Sequence, residues 1–455
     1  MGPDSPVPGI PGRDRDLDHV VTRTTTDSPR PAAGPAAGGP PAGGAAPGTG
    51  PLGHGLTRRR HVQLILVLGT LIALGPLTID MYLPAFPQLS EDLDAGPSSV
   101  QLTLTGMLAG LAVGQLVIGP LSDAFGRRRP LLTGLVVHAL ASLLCAIAPS
   151  VEMLAVVRVL QGFAGAAISV VALATVRDLF SGVAVARTMS RLMLVIGLAP
   201  IVAPSLGGFI LEVTDWRGIF VVLAGVALLL VGVAFLGLRE TLPVERRRSP
   251  RVGATLRTYR SLLADGTFVA LVLMGGLMFA SIFAYVAGAS FVLQDGFGLS
   301  ERAFGLAFGA NALGLTILSQ VNPVLIRRFH QIDVLTGAMV ASALAAAALV
   351  VVGATGAGGL LGVLVPLFVV LGAAGLAMPN TPSLALNRHG EAAGTASALL
   401  GFTQFGIGAA VAPLVGLAGS TTAVSMGVAM LAVTGIALVL MVAVVRRDPS
   451  VRDGG

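Results

Sequence analysis

The chain has 455 residues, of which 54% are hydrophobic and only 11% charged. Soluble globular domains carry about 25% charge, so this composition excludes a soluble enzyme or binding module and defines an integral membrane protein. The net charge of +6 rests on 29 basic residues, all of them Arg, gathered in short connections between apolar runs, which argues against a nucleic-acid partner.

Residues 1–57 are rich in Pro, Gly, Ala, Ser and Thr and lack apolar periodicity, so they read as a disordered cytoplasmic tail. No apolar core lies near the start, so the first greasy segment reads as a retained helix rather than a signal peptide. A membrane-spanning helix needs about 20 mostly apolar residues. The pattern predicts twelve, near 62–83, 100–121, 130–148, 152–176, 188–211, 217–238, 267–292, 302–321, 332–353, 359–385, 392–417 and 422–445. The expected organisation is a six-helix bundle over 58–238, a polar Arg-rich cytoplasmic linker over 239–265, a second bundle over 266–447 and a short tail over 448–455.

The arginines test this topology independently. All but Arg158, Arg217 and Arg302 fall in the tails or in the connections that twelve spans put on one side, which the positive-inside tendency makes cytoplasmic. The other side carries Glu91, Asp92, Asp94, Glu212, Asp215, Asp295 and Glu301, and Trp216 at a helix end, where an interfacial ring is expected. A weak internal repeat supports duplication: Gly119-Pro120-Leu121 followed by Arg127-Arg128 matches Asn322-Pro323-Val324 followed by Arg327-Arg328. Six plus six related helices describe two lobes rocking about a site at the midplane.

Charges inside spans cost about 2.5–3.5 kcal/mol each on insertion scales and face cavities or partners. Asp80 lies toward the outer end of span 1, about 27 Å along a straight helix from Val62, which predicts a position near the outer edge. A carboxyl there exchanges a proton as solvent access changes, or caps the helix end. Arg158, in span 4, needs a carboxylate, backbone carbonyls or cavity water, and serves either a structural pair or a protonation gate. His138 in span 3 and Cys145 read as packing residues; one cysteine allows no disulfide framework. Gln115, Asn311, Asn380 and Gln404 are candidate polar lining, with packing hydrogen bonds as the equal alternative. Tyr82, Phe86, Phe279, Phe283 and Tyr285 offer aromatic surface for a flat amphipathic ligand. No phosphate-binding loop, zinc-protease motif or nucleophile elbow occurs, so neither an enzyme nor ATP as energy source is expected.

Between spans 2 and 3 stands Gly119-Pro120-Leu121-Ser122-Asp123-Ala124-Phe125-Gly126-Arg127-Arg128-Arg129. This string resembles the signature loop of the major facilitator superfamily. Leu154-x-x-x-Arg158-x-x-Gln161-Gly162 is similar to the family's helix 4 motif, whose Arg is associated with proton transfer. Gly197-x-x-Pro200-x-x-x-Pro204-x-x-Gly207-Gly208 is similar to the helix 5 motif of antiporters, with Ala203 where many members have Gly. Asp80 to Pro87, Val100 to Thr105, Gly394 to Gly401 and Gln404-Phe405-Gly406 resemble the bicyclomycin/chloramphenicol-resistance branch of drug:proton antiporters.

The resemblance implies an all-α membrane protein of twelve helices in two halves. It would sit as a monomer in a bacterial inner membrane with both termini cytoplasmic, exporting amphipathic drugs against protons without cofactor or metal. It further implies that Asp80 and Arg158 couple the proton. A latch of Gly119, Asp123, Gly126, Arg127 and Asp178 would hold one conformation, while helices 5 and 11 pack through Gly197, Pro200, Pro204, Gly207, Gly208 and Gly401. An exporter of a native metabolite, such as a sugar or an amino acid, would share the fold. A non-transporting sensor or scaffold would carry a folded cytoplasmic domain.

Overall fold

The computed structural model describes residues 58–180, 183–247, 252–416 and 421–448. The expected tail over 1–57 and most of that over 448–455 lie outside them. Helix α1 (Arg58–Asp80), a 3-10 turn over Leu83–Ala85 and α2 (Phe86–Asp92) make the first crossing; α3 (Pro97–Phe125), α4 (Arg128–Ala146), α5 (Val151–Leu179), α6 (Val183–Leu211) and α7 (Trp216–Gly237) complete the first half. After α8 (Val252–Ala264) come α9 (Gly266–Ser290), α10 (Glu301–Leu325), α11 (Gln331–Thr355), α12 (Gly359–Asn387), α13 (Ala393–Val411) and α14 (Ala423–Ala443). Twelve crossings are long and apolar enough for a membrane, as the pattern predicts.

Local chemistry fixes where these helices start. Ser150 accepts from the Met153 N–H, Asp215 from those of Arg217 and Gly218, Asp265 from those of Thr267 and Phe268, and Ser300 from that of Ala303. Each satisfies donors that the first helical turn leaves without partners. Helix α3 ends at Gly126, whose φ of +89° turns the chain sharply into α4.

Three apolar cores show how the halves relate. One core, including Leu64, Leu135 and Leu230, belongs to the first half, and a second, including Phe268, Leu335 and Met441, to the second half. Both lie toward the arginine-rich side. The third, built from Phe86, Trp216 and Phe220 together with Phe291, Phe304 and Val415, joins both halves on the acidic side. The hydrogen bonds across the seam gather there too: Ser290 donates to the Leu83 carbonyl at 2.8 Å, Gln294 to Pro84 at 3.1 Å, Ser98 to Gly416 at 2.7 Å and Gln101 to Ala287 at 3.1 Å. The halves are therefore sealed together on the acidic side and packed separately on the other.

Two expectations are corrected. The connection over 239–265 is not simply polar, because α8 exposes Leu256 (65%) and Leu263 (56%) beside Arg257 and Arg260. Trp216 is not an interfacial ring: it is fully buried, and its Nε1–H donates to Asp92 at 3.0 Å. The two arginines on the acidic side each face an acid, Arg217 on Asp92 at 3.6 Å and Arg302 on Glu212 at 3.9 Å.

Candidate functional site

Arg158 is completely buried in the first half and has no carboxylate partner among the described residues. Its Nη1 donates to the Thr78 carbonyl at 3.1 Å and to Gln161 Oε1 at 2.8 Å, while its guanidinium lies 4.8 Å from the Tyr82 ring centroid and 5.7 Å from that of Phe220. Ring faces attract a desolvated cation by up to about 2 kcal/mol and here stand where a counter-charge would. Nε and Nη2 have no hydrogen-bond partner among the described residues. The network continues as Gln161 Nε2 donates to Ser142 at 2.8 Å and Ser142 to the His138 carbonyl at 2.8 Å. The Thr78 hydroxyl gives its proton to the Leu74 carbonyl at 2.7 Å, so at 3.2 Å it accepts from His138 Nε2. His138 thus helps to tie α4 to α1 and α5.

Asp80 belongs to a different surface. It is 5% exposed and has no hydrogen bond or ion pair among the described residues. Two residues along a helix turn the chain by about 200°. Asp80 therefore leaves the face of α1 opposite to the Thr78 hydroxyl and comes within electrostatic reach of Tyr285 in the second half. The Tyr285 hydroxyl accepts from Asn311 at 3.4 Å, and its ring stacks on Phe308 at 4.7 Å. Helix α1 ends at Asp80 and the chain continues as the 3-10 turn over Leu83–Ala85 and α2, so the carboxyl lies where α1 gives way to that buried turn.

The glycines singled out on helices 5 and 11 sit at close backbone contacts. A methyl group on Gly207 would run into the Met81 carbonyl within the first half, and one on Gly208 into the Glu301 carbonyl across the seam. Thr316 donates to the Gly197 carbonyl at 2.9 Å, and Gly401 lies against Gln115. Pro200 and Pro204 sit inside α6, and Gly305 of α10 packs on Pro204 and Ser205. Small residues permit this close backbone approach.

At the arginine-rich end, Arg127 Nε donates to Asp178 at 2.8 Å, and its Nη1 to Ser122 and Asp123, each at 2.6 Å. Gly119 accepts from Ser122 at 2.9 Å. Sequence reasoning missed Glu240, whose carboxylate accepts from the backbone N–H of Arg127 at 2.8 Å and of Arg128 at 3.2 Å, with Arg247 at 3.8 Å. Burial pushes the Glu240 carboxyl up, but the Leu242, Arg127 and Arg128 N–H groups and the Arg247 charge outweigh it and hold the group below the usual glutamate range. This cluster ties together elements of the first half. In the second half Asp265, at the start of α9, is bonded by Arg388 at 3.2 Å and His389 at 3.0 Å.

The candidate wall residues separate into groups. Tyr82 and Phe86 are fully enclosed, Tyr82 donating to or accepting from Thr103 at 2.9 Å and Phe86 lying 5.9 Å from Phe291 across the seam, so neither lines an open wall. Asn380 is also enclosed, paired with Asn322 at 2.7 Å and Gln331 at 3.1 Å. Phe279 and Phe405 are partly exposed and in edge contact at 5.3 Å, with Phe283 5.0 Å from Phe279. Gln115 and Gln404 are also partly exposed, Gln115 lying against Gly401 and Gln404 near Gly275.

Two helical halves of six membrane-length crossings each, sealed together at one end, are the architecture of a membrane transporter. The Major Facilitator Superfamily model matches residues 66–413. The chain belongs to that superfamily. YdgK of Bacillus subtilis, described as an uncharacterized MFS-type transporter, is 42% identical over 383 residues, covering 83% of this chain and 94% of that protein. A bicyclomycin resistance protein homolog of Haemophilus influenzae is 34% identical over 352 residues, 77% of this chain and 88% of its own. These relatives uphold the branch read from the motifs. The xylose transporter XylE of E. coli, in a partially occluded inward-open conformation, superposes with a TM-score of 0.66 at 14% identity, covering 85% of this chain and 98% of that one. That likeness is one of fold.

Proposed function

We propose that this transporter exports amphipathic drug-like molecules across a bacterial inner membrane in exchange for inward protons, acting as a monomer with both termini in the cytoplasm. The observation that carries the reading is Asp80, a carboxyl with no described partner at the seam between the two halves. An ionised carboxylate left unpaired there would cost several kcal/mol, so the arrangement fits the protonated acid. Opening of the acidic side would wet the same group and let its proton exchange. One proton crossing 100 mV contributes about 2.3 kcal/mol, enough to hold more than a tenfold gradient of a neutral drug.

The residues divide the work. Asp80 carries the proton, and Arg158 positions α1 through the Thr78 carbonyl. Phe279, Phe283 and Phe405 offer the cargo ring faces, with Gln115 and Gln404 supplying polar contacts. The Arg127, Asp123, Asp178 and Glu240 cluster keeps the first half rigid as it rocks and latches one end of the cycle. Separate cores on the arginine-rich side and the shared core on the acidic side support an arrangement open toward the cytoplasm, and the arginine distribution supports that orientation. Susceptibility of cells making the protein to a panel of amphipathic antibiotics tests the reading. Protection that a protonophore removes is expected; protection against none of the panel would contradict it.

A further inference from the structure

Two apolar grooves of matching size open on the outer surfaces of the two halves. The first, about 440 Å³, lies among α3, α4 and α5; the second, about 450 Å³, lies among α10, α11 and α12, the corresponding helices of the duplicated half. Their linings match in register but not in chemistry. In the first, α4 presents Arg129, Thr133 and Val137, spaced four apart and so stacked on one face. Along about 12 Å this stripe passes from cation to hydroxyl to hydrocarbon. In the second, α11 presents Asp333, Gly337 and Ala341 at the same spacing, and Asp333 is already paired with Arg446 at 2.5 Å.

Arg129, by contrast, is exposed and has no hydrogen bond or ion pair among the described residues. Phe125 (53% exposed) and Leu160 (45% exposed) flank the groove, and Ala164 and Ala167 help to floor it. We propose that the groove among α3, α4 and α5 binds one anionic phospholipid, its phosphate on Arg129, its ester region beside Thr133 and one acyl chain along Val137 and the small-residue floor. The polarity gradient along α4 is that of the lipid itself. The paired acid at the mouth of the second groove makes that groove a built-in counterexample, because an anionic headgroup there meets a carboxylate.

The test uses the full-length protein purified in detergent with equal amounts of phosphatidylglycerol and phosphatidylcholine of identical chains, and native mass spectrometry to count retained lipids. One phosphatidylglycerol is retained preferentially. Arg129→Ala lowers that preference about fivefold, the contribution of one arginine to an anionic lipid. Arg328→Ala, which removes an exposed arginine on the same side outside the groove, leaves it unchanged. Ala164→Phe, which fills the floor while keeping Arg129, also removes the preference. Should that variant not fold, Val137→Trp reports occupancy, its fluorescence quenched by chain-brominated phosphatidylglycerol and not by brominated phosphatidylcholine. Equal retention of the two lipids, equal effects of the two arginine substitutions, a preference surviving Ala164→Phe, or equal quenching would each overturn the proposal.

Discussion

Asp80 and Arg158 do not pair: Arg158 holds the Thr78 carbonyl at 3.1 Å, while Asp80, two residues further along α1, is buried with no hydrogen bond or ion pair among the described residues. In the proposed scheme the guanidinium acts on the carboxyl by fixing the helix that carries it. Removing Arg158 strands Gln161 Oε1 and the Thr78 carbonyl in a dry interior, so Arg158→Ala lowers the stability of the purified protein by at least about 1–3 kcal/mol. Asp80→Asn, which keeps the shape of the neutral acid and removes only its ability to ionise, leaves stability unchanged or raised. Thermal denaturation in detergent compares the two.

The glycines of α6 separate contact from composition. A methyl group on Gly207 meets the Met81 backbone carbonyl, which cannot move aside as a flexible side chain could, whereas one on Gly225 of α7 meets nothing within 4 Å. Gly207→Ala should abolish transport or expression, and Gly225→Ala should be neutral or stabilising by up to about 1 kcal/mol. Yield and drug-resistance assays on the pair check this.

Acid should loosen the arginine-rich end. Glu240 and Asp265 are both held below their usual carboxylate ranges; for Asp265 burial pushes up, and the Phe268 N–H, Arg388 and His389 together outweigh it. A depressed folded value means that the stabilisation is fully present above the ordinary values of 4.5 and 3.8, and disappears as pH falls through the lower folded values. The melting temperature of the purified protein should fall below about pH 4, and Glu240→Gln should lower it at pH 7 and flatten the part of the acid dependence that belongs to this group.

Ring faces at the seam should set cargo affinity. Phe279→Ala removes edge contact with Phe405 and one face of the proposed wall. Loss of one aromatic contact is worth about 0.5–1.5 kcal/mol, so the apparent affinity for a flat drug should weaken roughly 2–12-fold with little change in maximal rate. Concentration-dependent transport in membrane vesicles measures it.

What was legible in the chain follows from how far each signal reaches. Twelve apolar stretches of membrane length, and arginines confined to alternate connections, fix the crossings and their alternation without any tertiary information. The enclosure of Asp80 was not legible, because it depends on the chain beyond it continuing as a buried turn and α2, which no local pattern shows. Glu240 was hidden because its partners Arg127 and Arg128 lie more than a hundred residues away. The acidic-side seal, which buries Tyr82, Phe86 and Trp216, depends on both halves meeting, and no local pattern shows that. In α8 the polar composition masks an apolar stripe through Leu256 and Leu263.

Coupling of cargo to protons through the Asp80 carboxyl is tested most directly in liposomes. Purified protein in liposomes loaded with a pH-sensitive dye is given an outward-directed gradient of a transported drug, and drug-driven proton movement is recorded for the native chain and for Asp80→Asn. The account predicts robust proton counter-movement for the native protein and none for Asp80→Asn, which still exchanges drug for drug. Undiminished drug-driven proton movement through Asp80→Asn would contradict it.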